Sequence, residues 1–205
     1  MVAPHPDDET IGCGGLLAAH TGRGGVAAAV YLTAVGAARM REAERARSWL
    51  GIDQAFELGL PEGNMAVGEP AARRLLDLLE TIRPELICVP AFEDVHPDHR
   101  GAHRLLALAL RLAGEVWPLS ILTYEGFTPV STADCWVDIT ATAETKWRAL
   151  ACFESQERLY RLGDVCRSLN RYRGLTSMRR AVMFAEAFRS FTVTSYLGDK
   201  RLQSS

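Results

Sequence analysis

The chain has 205 residues, of which 48% are hydrophobic and 23% are charged, a composition typical of one globular domain rather than of a disordered chain. Its net charge of -2 argues against nucleic acid or an anionic membrane as a partner. The longest apolar run, 26–35, is far shorter than the roughly 20 residues that span a bilayer. Five cysteines without a C-x-x-C pair argue against a disulfide framework. We therefore expect a cytoplasmic protein without an integral membrane segment.

The order of the predicted elements indicates an α/β fold. Apolar runs predict strands at 26–33, 55–58, 86–89, 121–124 and 136–139, and helical spacing predicts helices that end near His20 and that cover 39–50, 71–82, 100–112 and 143–153. This alternation predicts a Rossmann-like, mostly parallel sheet flanked by helices, with residues 1–205 forming a single domain. The arginine-rich segment 156–176 shows no pattern that assigns it to an element.

Two clusters of acidic residues and histidines follow predicted strands, one after the short opening strand 1–3 and the other after the strand 86–89. They are His5-Pro6-Asp7-Asp8-Glu9 and His96-Pro97-Asp98-His99. Because the carboxyl ends of neighbouring parallel strands face one crevice, we expect the clusters to meet there. Zinc hydrolases use three nitrogen or oxygen ligands and keep one position for water, while spare carboxylates and histidines move protons. The clusters therefore predict a metal-dependent hydrolytic site; helix capping by Asp8 and Asp98 is the simpler alternative.

Three glycines, Gly12, Gly14 and Gly15, follow the first cluster. They lack the G-x-G-x-x-G spacing of a nucleotide-binding loop. We expect instead that they allow close packing of a helix against a strand.

Several motifs resemble the LmbE-like, or PIG-L, de-N-acetylase family. The Pro-His-Pro-Asp-Asp-Glu run at 4–9 and the His-Pro-Asp-His run at 96–99 are similar to its signature. Further similarity covers 39–51, 58–63, 137–140, 146–156 and 185–188. The family includes deacetylases of N-acetylglucosaminyl conjugates. The resemblance therefore implies a metal-dependent hydrolase that removes the N-acetyl group from an N-acetylglucosamine-type sugar or glycoconjugate.

The same resemblance implies a metal site and a base. His5, Asp8 and His99 would hold Zn²⁺, or Fe²⁺ or another divalent ion in its place. Asp7 would be the general base that takes a proton from water.

The resemblance implies roles for four more residues. His96 would stabilise the tetrahedral intermediate or protonate the leaving amine, and Asp98 would tune the pKa of His96. Arg39 would reach the substrate, since a guanidinium suits a carboxylate, a phosphate or a pair of hydroxyls, although a solvated charge at a helix start explains it equally. Glu62 would bind a sugar hydroxyl, in a loop where many relatives carry aspartate.

Three other functions use the same residues. One is an amidase acting on a different amide, such as a thiol conjugate. Another is an iron oxygenase with two histidines and one carboxylate, and the third is a sugar-binding protein without catalysis. Tyr124, Phe127 and Trp136 suit either a sugar platform or the core. The sequence leaves open the exact sugar and the oligomeric state, a homo-oligomer included.

Overall fold

The computed structural model describes residues 1–114 and 116–202. Its strands are β1 Val2–Ala3, β2 Ala28–Thr33, β3 Gln54–Leu60, β4 Leu86–Pro90, β5 Ser120–Tyr124, β6 Cys135–Asp138 and β7 Ala185–Thr192. Its helices are α1 Asp8–Thr21, α2 Ala37–Leu50, α3 Glu69–Ile82, α4 Pro97–Ala113, α5 Ala143–Leu150, α6 Glu154–Tyr160, α7 Leu162–Thr176 and α8 Val193–Leu197. A short 3₁₀ helix, Lys200–Leu202, follows α8.

The strands form two hydrogen-bonded groups that lie side by side. The first has the order β1-β2-β3 and is parallel throughout, and the second has the order β4-β5-β7-β6. Strand β4 is parallel to β5, whereas β7 is antiparallel to both of its neighbours. Strand β1 packs beside β4. The prediction of a mostly parallel sheet flanked by helices is confirmed. The antiparallel strand β7 was not predicted from the sequence.

Strand β2 shows how the core is divided. Val30 and Leu32 face the apolar cluster formed with α3 and α4, while Ala29 and Tyr31 face the cluster formed with α1 and α2. A strand covered on both faces has no polar side, and this is why residues 28–33 read as a continuous apolar run.

Helix α1 lies unusually close to its neighbours. A Cβ added at Gly12 would lie 2.1 Å from the Tyr124 ring of β5, and one at Gly15 would lie 2.5 Å from Ile139. Any larger side chain would push the helix away from the sheet. The prediction that these glycines allow close packing is confirmed: Gly12 meets a strand, β5, whereas Gly14 meets Lys146 of α5 and Gly15 meets Ile139, just after β6.

A buried ion pair also holds α1. Lys146, fully buried on α5, donates to the backbone oxygen of Ile11 and to Glu186 Oε1, both at 2.7 Å. Glu186 accepts in turn from the backbone N–H groups of Gly15 and Leu16 at 2.8 Å. Every charge in this buried pair therefore has hydrogen-bond partners, which a buried ion pair requires.

The segment without an assignable pattern is helical. It forms most of α6 and all of α7. The predicted helix 143–153 ends earlier, at Leu150, and buried Phe153 separates α5 from α6. On α7 the buried positions include Leu162, Cys166 and Asn170, four residues apart. Asn170 in this stripe is polar, while Val165 between the buried positions is apolar and 37% exposed. The apolar pattern of the sequence therefore does not follow the buried face of the helix.

Among the residues described here, no helix combines the length and the apolar character needed to cross a membrane. All five cysteines are free.

Candidate functional site

The two acidic–histidine clusters meet at the carboxyl edge of the sheet. His5 follows β1, and His96 follows β4 after a short loop. Because β1 and β4 are neighbours, the imidazole rings converge: the ring centroids of His5 and His96 are 4.9 Å apart, and those of His96 and His99 are 5.1 Å apart. Two stretches about ninety positions apart in sequence therefore form one site.

Asp8, the first residue of α1, lies between two histidines. Its Oδ2 is 3.2 Å from His5 Nδ1 and its Oδ1 is 3.2 Å from His99 Nε2. All three side chains are buried. In a tetrahedral zinc site with bonds of 2.0–2.1 Å, neighbouring donor atoms lie about 3.3 Å apart. Each of the two distances from Asp8 to a histidine nitrogen is therefore close to the separation of two ligands on one ion.

A carboxylate lies behind each of these rings. His5 Nε2 is 3.0 Å from Asp98 Oδ2, and His99 Nδ1 is 3.2 Å from Asp94 Oδ2. Histidines that bind metals commonly present their second nitrogen to a carboxylate, which fixes the tautomer and the ring orientation. Asp94 is fully enclosed and was missed from the sequence, where its one signal is an acidic side chain two positions before His96.

The position of Asp98 differs from the expectation. Besides His5, its carboxylate accepts from the backbone N–H groups of Gly63, at 2.7 Å, and Met65, at 3.0 Å. It does not cap α4: the N-cap is His96, whose Nδ1 accepts from the backbone N–H of Asp98 at 3.2 Å. The side-chain partner of Asp98 is therefore His5, while the charge of Asp98 acts to raise the pKa of His96, as predicted.

His96 has a different hydrogen-bond pattern from the other two rings. A nitrogen of His96 lies within 4.8 Å of one on His5 and one on His99, so a three-histidine metal site is an alternative to the set that contains Asp8. Burial, together with the charges of His99 and His5, lowers the pKa of His96. Because Nδ1 accepts a hydrogen bond, a neutral ring carries its proton on Nε2. A nitrogen with a proton is a donor and offers no lone pair to a metal.

Asp7 is held in an unusual backbone conformation. Its φ is 152°, a region that side chains rarely adopt and that is found mainly at functional sites. Its Oδ2 accepts from Arg39 Nη2 at 2.7 Å. Burial and the neighbouring Asp8 raise the pKa of Asp7 to about 7, against the opposing effect of Arg39. A carboxylate with a pKa near neutrality is suited to accept and release a proton.

Arg39 and Glu62, the predicted substrate-binding residues, lie beside Asp7. Arg39 donates through Nε to the backbone oxygen of Pro6 and through Nη1 to Glu62 Oε1, at 3.2 and 3.1 Å. Glu62 Oε1 is also 3.8 Å from His5 Nε2. The Glu62 side chain is 47% exposed, so this pair forms the solvent-facing edge of the site.

The charges of the site depend on one another. Burial disfavours the ionised Asp8, yet the His99 and His5 rings hold the pKa of Asp8 well below its usual range. Burial also acts to lower the pKa of His99, but Asp8 and Asp94 raise it to about 10. His99 is thus a protonated ring that a metal ion would deprotonate on binding.

A loop after β5 covers the far side of His99. A Cβ added at Gly126 would lie 2.6 Å from Asp94 Oδ2 and 3.0 Å from His99 Cε1. The loop is fixed by Arg173 of α7, which donates through Nε to both Glu125 oxygens at 3.1 Å and through Nη2 to the backbone oxygen of Val130 at 2.8 Å. The arginine-rich segment therefore supplies an anchor for the site.

These features define a class of protein. It is an α/β protein with a buried histidine–carboxylate cluster at the carboxyl edge of its sheet. The model of one family, PIG-L, described as GlcNAc-PI de-N-acetylase, matches residues 1–110, which is more than half of the chain. The chain belongs to the PIG-L family.

Individual relatives agree with this assignment. The diacetylchitobiose deacetylase of Thermococcus kodakarensis is 26% identical over 184 residues, which cover 76% of this chain and 68% of that protein. The conserved protein TT1542 of Thermus thermophilus is 31% identical, with a TM-score of 0.82 and 92% of each chain covered. GalB of Pseudomonas putida, a 4-carboxy-2-hydroxymuconate hydratase, also has a TM-score of 0.82, at 22% identity and with 92% and 93% of the chains covered. The fold is therefore shared by a deacetylase family and a hydratase.

Proposed function

We propose that this protein, acting as one domain over residues 1–205, is a zinc-dependent deacetylase. It removes the acetyl group from the amine of an N-acetylglucosamine-type sugar or glycoconjugate and releases acetate and a free amine. The observation that carries the proposal is the placement of Asp8, whose two oxygens each lie 3.2 Å from a histidine nitrogen, one on His5 and one on His99. The family membership and the deacetylase among the relatives support this chemistry.

The metal would be held by His5, Asp8 and His99. One donor of each histidine faces Asp8; the opposite nitrogen of His5 lies 3.0 Å from Asp98, and that of His99 lies 3.2 Å from Asp94. A bound divalent ion supplies Lewis acidity, which polarises the acetyl carbonyl and lowers the pKa of a water molecule. Two imidazoles and one carboxylate suit zinc and also iron(II).

Asp7 accepts the proton of the attacking water. Its carboxylate is buried, adjoins Asp8 in the chain and is oriented by Arg39 Nη2. General bases act best when their pKa lies close to the working pH, and burial brings Asp7 there. The strained φ of Asp7 keeps the carboxylate in this position.

His96 donates a hydrogen bond to the reacting amide. With Nδ1 accepting from the Asp98 N–H, the Nε2–H of the neutral ring stabilises the developing oxyanion. The proton that Asp7 takes from water passes to the leaving amine. Asp98 contributes indirectly, because its carboxylate holds the His5 ring and the backbone N–H of Gly63.

Arg39 and Glu62 bind the sugar at the exposed edge of the site. Glu62 is half-exposed and offers a carboxylate to a sugar hydroxyl. Arg39 spans Asp7 and Glu62, so it couples the position of the substrate to that of the base.

The test is a panel of N-acetylated sugars and glycoconjugates incubated with the zinc-loaded protein. Both products are measured, the new primary amine with an amine-reactive fluorophore and the acetate with a coupled enzyme assay. Replacing the base by Asp7→Asn should lower turnover by about 10²–10⁴-fold while the metal content stays unchanged. Asp53→Asn, an exposed carboxyl before β3, is the matched control and should retain full activity.

Each rival has its own outcome in this assay. A free amine without acetate favours cleavage of a different amide, and oxygen consumption with iron favours an oxygenase. Stoichiometric metal without turnover across the panel favours a binding protein. Full activity in the Asp7→Asn variant would refute the role of Asp7.

A further inference from the structure

Glu9 is a fully buried acidic residue to which the proposed reaction gives no task. It follows Asp7 and Asp8 in the chain, so that three consecutive acidic side chains are enclosed at the start of α1. Burying a carboxylate costs free energy unless hydrogen-bond donors surround it, and a third carboxylate beside two others adds repulsion. An apolar side chain would fill the same space at a lower cost, so the hydrogen bonds of Glu9 are what distinguishes it.

The hydrogen bonds of Glu9 join it to the backbone of the proposed base. Glu9 Oε2 accepts from the backbone N–H of Asp7 at 3.1 Å, and Oε1 accepts from the Thr10 hydroxyl at 3.1 Å. Asp7 itself is 4% exposed. Without Glu9, the Asp7 N–H would therefore be a buried donor that has lost its partner, a situation that folded proteins avoid.

The contact with the Asp7 N–H fixes one end of a peptide plane. The carbonyl oxygen of the same peptide belongs to Pro6, and it accepts from Arg39 Nε at 3.2 Å. The peptide between Pro6 and Asp7 is thus held through both of its polar groups, by Glu9 and by Arg39. Because a peptide is planar and φ is the rotation that follows it, holding this plane restrains the φ of Asp7.

The peptide after Asp7 is held by α1. The carbonyl oxygen of Asp7 accepts from the backbone N–H groups of Thr10, at 2.9 Å, and Ile11, at 2.8 Å. With both peptides held, Asp7 keeps its unusual φ of 152°. The strain of one such residue and the free energy of one hydrogen bond to a charged group are of similar size. Loss of the Glu9 contact is therefore enough to let the backbone of Asp7 relax.

We propose that Glu9 is a positioning residue for the reaction, which accepts the Asp7 N–H and so holds the backbone of Asp7 in the conformation that presents its carboxylate to the site. This inference rests on the role proposed for Asp7 in deacetylation. The simpler explanation of an acidic residue in a first helical turn is stabilisation of the helix, which would not change turnover.

The experiment measures kcat and KM of the zinc-loaded protein with N,N′-diacetylchitobiose as the probe. Glu9→Leu removes both acceptor oxygens and should lower kcat by about 10²-fold, with KM and zinc content unchanged. Glu9→Gln keeps one oxygen for the Asp7 N–H and should retain most of the activity. Thr10→Val is the matched control, because it removes the other hydrogen bond of Glu9 and leaves the Asp7 contact in place. It should keep the wild-type kcat.

The double variant Asp7→Asn/Glu9→Leu separates positioning from helix stability. If Glu9 acts through Asp7, adding Glu9→Leu to Asp7→Asn should lower kcat no further. Losses that multiply in the double variant would overturn the inference. A Glu9→Leu protein with the wild-type kcat and a lower melting temperature would overturn it as well, since Glu9 would then serve the helix alone.

Hydrogen exchange of backbone amides, followed by NMR on isotope-labelled protein, tests the contact without any turnover. The Asp7 amide should be protected in the wild type and in Glu9→Gln and should lose this protection in Glu9→Leu, whereas the Thr10 and Ile11 amides stay protected. An unprotected Asp7 amide in the wild type would overturn the inference even if Glu9→Leu does not fold. Failure of every N-acetyl sugar in the panel to react would overturn the deacetylase function, and the role of Glu9 with it, even where the Asp7 amide is protected.

Discussion

Because α1 and β5 are in close contact, we expect one added methyl group at their interface to lower the stability of the fold substantially. In the variant Gly12→Ala, the new Cβ would lie 2.1 Å from Tyr124 Cδ2, 2.6 Å from Cγ and 2.7 Å from Cε2. Carbon atoms in contact prefer about 3.5–4.0 Å, so the gap must open by about 1.5 Å. The Tyr124 ring is fully buried and has nowhere to move, so we expect α1 to be displaced from the sheet.

Overpacking of this kind costs about 1–3 kcal/mol. In a domain of this size each kcal/mol shifts the melting temperature by about 2–4 °C, so the melting temperature should fall by roughly 2–12 °C. Asp8 lies one helical turn before Gly12, and therefore zinc affinity should fall as well. Unfolding in urea with circular dichroism and competition for zinc with a chromophoric chelator measure the two effects.

Two further variants make this prediction specific. Gly36→Ala adds a methyl group with no neighbour within 4 Å and should leave stability almost unchanged. Combining Gly12→Ala with Tyr124→Leu should cost less than the sum of the single changes, with a coupling of about 0.5–3 kcal/mol. If Gly12→Ala proves as stable as Gly36→Ala, or if the double variant is strictly additive, the reasoning about α1 and β5 is refuted.

Three predictions concern the charges of the site. Asp94→Asn should lower the pKa of His99 from about 10 in the metal-free protein, because the Asp94 carboxylate helps to raise it; an NMR titration of the His99 ring measures this, and an unshifted curve would contradict the pairing. Because metal binding must displace the His99 proton, zinc affinity should rise by about tenfold per pH unit below the pKa of His99, and calorimetry in buffers of different ionisation enthalpy should detect proton release; pH-independent affinity would argue against His99 as a ligand. Arg39→Ala should raise the pKa of Asp7, since Arg39 lowers it. The acid limb of the pH–rate profile should therefore move upward by about 1–3 pH units, and by less in Arg39→Lys. An acid limb that does not move would contradict the assignment of that limb to Asp7.

The sheet and its helices illustrate how much a local pattern can reveal. The apolar runs at 86–89 and 121–124 predicted β4 and β5 to within one residue, because strands buried on both faces leave no polar positions. Helices α6 and α7 were not predicted, because their exposed residues outnumber the buried ones and leave no clear apolar pattern. The antiparallel direction of β7 was not predicted either, because the direction of a strand depends on how the chain returns to the sheet and not on the local residue pattern.

The candidate site divides in the same way. The two motifs and the rule that parallel strands end at one edge were enough to bring His5, Asp8 and His99 together. The sequence could not show that Asp98 faces His5 or that Asp94 faces His99.

Sequence by itself therefore determined the class of fold, the two motifs and the family, because periodicity, residue type and motif spacing are local properties of the chain. Only the tertiary structure decided which carboxylate supports which ring and which arginine anchors the loop beside His99. These features depend on contacts between distant segments, where the partner is selected by the packing of the whole fold and leaves no periodic trace in either segment.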